Sequence, residues 1–161
     1  MRSSGLHQQE GISYTDIEYC YFPLKIAKDF YYINVVLYVY LVGRAGQTVS
    51  VDSSLKHFRD YYLVGNRILT DYLHDYNLLS IQKKTLLSKF VYFPILNIYL
   101  INLVYRKKPD ISEYKKMLEI EEKIGALPYV LDLLKKTKYY RVYFYRIWKI
   151  FRFRIGMICG R

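Results

Sequence analysis

The chain has 161 residues, 52% hydrophobic and 18% aromatic with 20 tyrosines, and a formal net charge of +11. That content excludes an intrinsically disordered segment and suits one domain's worth of chain burying about two thirds of its unfolded surface. Cys20 and Cys159 form no C-x-x-C pair and His7, His57 and His74 lack ligand spacing, so a zinc site is not expected and a reducing compartment is.

Residues 1–16 read as irregular, and because Met1 to Leu6 offer no apolar core of signal-peptide length a cytoplasmic location is expected. The stretch Glu10-Gly11-Ile12-Ser13-Tyr14-Thr15-Asp16-Ile17-Glu18-Tyr19 is the one place where chemistry is expected. A glycine-containing loop delivers Asp16 just before a predicted helix over 17–29, bent near Pro23, with Thr15 or Asp16 able to cap its first amides. The plain alternative for Asp16 is a helix cap and nothing more. In residues 30–42 only Asn34 is strongly polar, and the β-branched and aromatic content predicts a buried strand, too short to cross a bilayer as a helix. Gly43, Arg44, Ala45, Gly46, Gln47 and Thr48 then form a turn.

These pieces resemble the family 2 nucleotide-sugar glycosyltransferases, inverting enzymes of GT-A fold. Glu10, Gly11, Tyr14 and Asp16, then Leu37-Tyr38-Val39-Tyr40, then Gly43, Arg44, Gly46, Gln47 and Thr48 carry the resemblance over about residues 8 to 50, in the family's order. It implies that Asp16 is the catalytic base, removing the proton of an acceptor hydroxyl, a task for a carboxylate ionised at neutral pH. It also implies that Arg44 and Gln47 approach the donor diphosphate or the glycan acceptor, although Ala45 stands where the family has an acidic residue. Asp16 and Glu18 are not taken as a metal pair, because side chains two apart diverge on a helix. The divalent magnesium or manganese of a complete family enzyme is expected on a D-x-D motif, which this chain lacks, so no metal or other cofactor is assigned to it. The implied fold is therefore an α/β fragment, the end of a GT-A-like domain over residues 1–50, followed by a predominantly helical region over 51–161. Such a chain is expected to need a donor-binding half and to be inactive alone.

Beyond residue 50 the periodicity is helical. Asp52 or Ser53 is expected to cap a helix to about residue 76, with Leu55, Phe58, Tyr62, Leu69, Tyr72 and Tyr76 as a core stripe and Gly65 in its gap. Residues 80–105 predict a buried or interfacial helix kinked at Pro94; the uncharged part, 90–105, spans about 24 Å, short of a bilayer's ~30 Å. Asp110-Ile111-Ser112-Glu113 resembles a capping box opening a helix that ends near Gly125, and Pro128 opens another through Lys136.

After Asp132 no acidic residue occurs. Residues 138–155 predict an amphipathic helix with Lys138, Arg141, Lys149 and Arg152 on one arc, aromatic and aliphatic residues opposite and Trp148 at the boundary, the composition of a membrane-interface helix. Arg141, Trp148, Lys149 and Arg152 are thus the candidate contacts to an anionic membrane surface, at the inner face of the membrane. A core-facing helix with solvated cations is the competing assignment. Two other functional classes stay open: a membrane-associated interaction protein without catalysis, and a basic nucleic-acid-binding module. The second is disfavoured because the aromatics follow core periods.

Overall fold

The computed structural model describes residues 7–36, 38–39, 50–108, 110–139, 141, 143 and 145–150. Its helices are α1 (Asp16–Ile26), α2 (Val51–Lys56), α3 (Phe58–Asp75), α4 (Ile81–Leu100), α5 (Ile111–Ile124) and α6 (Pro128–Lys136); α4 runs on into a π-helical turn, Ile101–Tyr105. Residues 145–150 are helical as well.

Short polar side chains start several of these helices by accepting the free amides of a first turn. Ser50 Oγ accepts from the Ser53 amide at 3.1 Å, Ser80 Oγ from Lys83 at 3.3 Å and Asp110 Oδ1 from Glu113 at 3.0 Å, each cap worth about 1 kcal/mol. The box at Asp110 is only half closed, because the Glu113 carboxylate turns away to a two-point pair with Arg106. The helix predicted over 53–76 is two helices, with Ser50 rather than Asp52 or Ser53 as cap and a break at His57, whose φ of −103° and ψ of 23° leave the helical range.

The core is built around α4, which packs against α1, α3, α5 and α6. Leu87, Val91, Ile95, Ile98, Tyr99 and Ile101 are fully buried along it. The helical run Ile81–Tyr105, 25 residues whose most apolar window has mean hydropathy 1.5, is long and apolar enough by length and composition to cross a membrane, and half of that window is buried inside the fold. Apolar side chains all round a helix suit a central position with neighbours on several sides. On α3 the buried face runs through Phe58, Tyr61, Gly65, Ile68 and Tyr72, with Val64 and Leu69 beside it, while Tyr62 and Tyr76 are only partly covered. Gly65 lets α3 approach Pro94 of α4: a Cβ there would lie 3.2 Å from the proline Cβ.

The expected α/β architecture is not what forms. Among the described residues there is no strand and no sheet, and the fold is helical. The stretch predicted as a buried strand has no regular secondary structure and is exposed where it is described: Tyr31 is 93% accessible and Val36 81%. Strand propensity reports fit to a pleated, half-buried surface, and without a neighbouring strand to take its amides and carbonyls a lone apolar segment forms no ladder. The segment leaves α1 beneath Lys83, whose ammonium reaches the carbonyls of Leu24, Lys25 and Ala27 and lies 5.5 Å from the Phe30 ring.

Candidate functional site: the clamped loop before α1

Two residues bend the chain ahead of α1 by adopting left-handed backbone, Gly11 (φ 70°) and Tyr14 (φ 66°). Glycine does this freely, whereas tyrosine holds that conformation only when its surroundings fix it. Here they do: the Tyr14 ring stacks on Tyr61 of α3 with centroids 3.9 Å apart and planes 16° from parallel. The Tyr61 phenol is pushed well above the usual tyrosine range by burial, and further by its hydrogen bond with Tyr14.

Two polar clasps complete the fixation. Glu18, in the first turn of α1 and 1% exposed, accepts from Arg67 Nη1 at 2.8 Å and from Gln9 Nε2 at 2.7 Å, while Arg67 Nη2 donates to the His7 carbonyl at 2.7 Å. A carboxylate so deeply buried needs charged and hydrogen-bonding partners, so this clasp ties the loop to α3. The second clasp joins Ser13 to the α2–α3 corner. Its amide donates to Asp60 Oδ2 at 3.1 Å, and His57 Nδ1 lies 3.3 Å from Ser13 Oγ and 2.8 Å from Asp60 Oδ2. Serine, histidine and aspartate meet here without forming a relay, because one ring nitrogen faces both partners where proton relay uses the two nitrogens separately.

Asp16 is the product of this arrangement. It is the first residue of α1 and exposed, and among the described residues no hydrogen bond or ion pair engages its carboxylate. Thr15 does not cap the helix with its side chain, since it is already in helical conformation (φ −69°, ψ −12°) and backbone carbonyls take the first amides, Ile17 N to Tyr14 O at 3.2 Å and Tyr19 N to Thr15 O at 3.0 Å. Asp16 and Glu18 face different surroundings, one solvent and the other Arg67.

No family model, curated protein or solved structure matches this chain.

Arg44, Gln47 and Arg152 lie outside the described residues. Arg141 is exposed with φ 69° and stands before the last helix, not on it. The continuous arc expected over 138–155 is therefore interrupted: residues 138, 139, 141 and 143 are not helical, and 140, 142, 144 and 151–155 are outside the described set. Trp148 is 4% exposed, packs edge-on to Tyr114 at 5.7 Å and donates its Nε1 hydrogen to Glu121 Oε2 at 2.8 Å. Lys149 pairs with the other oxygen of Glu121. Among the described residues no group of three or more His, Cys, Asp or Glu side chains converges to hold a metal ion. The Arg67–Glu18 and Ser13–His57–Asp60 clasps were not anticipated from sequence. The one available hint is that Glu18 shares a helical face with Tyr21, where a charge demands a partner.

Proposed function

We propose that the described residues supply the acceptor side of a glycosyl transfer, with Asp16 as the general base. The observation that carries this is an unpaired, exposed aspartate presented by a loop that two clasps and a ring stack hold against α3. Fixed presentation matters because orientation of a catalytic group contributes a large share of rate in such reactions. Asp16 would take the proton of an acceptor hydroxyl as that oxygen bonds to the anomeric carbon of a nucleotide sugar. The bond to the diphosphate breaks on the opposite face, the leaving group keeps its electron pair, and configuration inverts. The resemblance over about residues 8 to 50 supports the substrate class, and the groups that bind the donor are assigned to no described residue.

The test is Asp16→Asn in the natural chain context, with transfer of labelled sugar from a nucleotide-sugar donor as readout. Loss of the base lowers transfer by about 10²- to 10⁴-fold, with helix content unchanged and melting temperature lowered by no more than about 4 °C, since an exposed acid in a helix's first turn contributes about 0.3–1 kcal/mol. Transfer at near wild-type rate removes Asp16 from the mechanism.

A second function, a helical interaction protein at a membrane without catalysis, is favoured by the exposed apolar side chains Tyr31, Tyr32, Val36 and Val39. It would leave Asp16→Asn silent and place the protein in the membrane fraction.

A further inference from the structure

The docking of Trp148 and Tyr145 into the core leaves a groove of about 480 Å³ between α5, α6 and helix 145–150. Lys135, Arg146 and Lys149 line it together with the apolar side chains of Leu131 and Tyr145, and Glu121 is its one carboxylate. That carboxylate is already taken by Trp148 Nε1 and Lys149, which leaves Lys135 and Arg146 as the excess charge. Arg146 also lies 4.7 Å from the Tyr143 ring, and Lys138 reaches the same ring at 4.7 Å, so two cations gather on one aromatic beside the groove. Ile147 and Ile150, the latter 65% exposed, stand out on the same helix. The neighbouring groove is different in kind: Glu119, Glu121 and Glu122 line it against Lys115 and Lys149, so acids outnumber bases there.

We propose that the groove bearing Lys135 and Arg146 binds the phosphate of an anionic phospholipid at a membrane surface. Cations beside apolar side chains, with exposed Ile150 one helical turn on from Arg146, match a lipid whose phosphate lies at the interface and whose chains begin just below it. A free phosphate would use the cations and gain nothing from Leu131 or Ile150. The site is independent of Asp16 chemistry. Lys149 belongs to the Glu121 pair, and Trp148 to the core.

The test is flotation of the purified chain with vesicles of phosphatidylglycerol and phosphatidylcholine, against phosphatidylcholine alone. Lys135→Gln with Arg146→Gln, both exposed positions, should lower partition by about 30-fold, about fivefold for each cation at an anionic surface. The control removes equal charge at the exposed Lys107 and Lys108 ahead of α5. The groove lies toward the other end of that helix, about 20 Å away, beyond the screening length of about 8–10 Å, so the control should change partition less than about threefold. Circular dichroism checks that both variants fold. Absence of flotation, equal losses in the two variants, or full displacement by soluble glycerol phosphate would each overturn the proposal.

Discussion

Raising the pH should unfold this protein through its buried tyrosines. Tyr21 and Tyr72 are fully buried and Tyr61 nearly so. Each phenol is pushed well above the usual range, first by burial. At Tyr21 the adjacent Asp71 carboxylate, which accepts its hydroxyl at 2.9 Å, adds to the effect, and the Tyr72 hydroxyl is held by the Lys84 carbonyl at 2.8 Å. The folded chain therefore keeps these protons while the unfolded chain releases them near the ordinary value of about 10. Their contribution to stability is complete below that value and is lost progressively above it, up to the raised folded values. Each proton held only by the folded state gives a slope of about 1.4 kcal/mol per pH unit, about 4 for Tyr21, Tyr61 and Tyr72 together. Lys25 acts in the same direction: burial alone would lower its pKa, but hydrogen bonds to Asp71 and Asp75 outweigh that and raise it, so its contribution also disappears at high pH. A domain stability of about 5–15 kcal/mol is then exhausted between about pH 11 and 13. Parallel titrations by far-ultraviolet circular dichroism and tyrosinate absorbance should show loss of helix coinciding with the last step of tyrosine ionisation, and Tyr21→Phe should make that step shallower by about one proton. Helix persisting after every tyrosine has ionised would refute the linkage.

Two further outcomes test the packing that presents Asp16. Arg67→Met leaves the buried Glu18 with Gln9 as its remaining partner, and because Arg67 is partly solvated the cost should be about 2–3 kcal/mol, a fall of about 5–10 °C in melting temperature; adding Glu18→Gln should restore part of it, and a loss below about 0.5 kcal/mol would show that the clasp does not hold the loop. Gly65→Ala should gain less than the ~1 kcal/mol that alanine brings to an exposed helix glycine, because its Cβ meets Pro94 at 3.2 Å; the full gain in urea denaturation would mean the α3–α4 contact has slack.

What the sequence determined by itself is what a few neighbouring residues can decide. Ser80 ahead of α4, Asp110 three residues before Glu113, and Pro128 at the first position of α6 specify helix starts through contacts within one turn, and those helices form where they point. Tertiary structure decided the rest, because the deciding partners are distant in the chain. The apolar run after α1 has strand composition yet remains irregular and exposed over its described part, since composition cannot supply a neighbouring ladder. Trp148 is a core residue because Glu121 lies opposite, and Glu18 is a clasp because Arg67 does. Residue spacing shows which face of a helix is apolar. It cannot show which charge from another helix will stand against that face, and burial makes that encounter decide whether a polar group is an anchor, a cap or a free carboxylate such as Asp16.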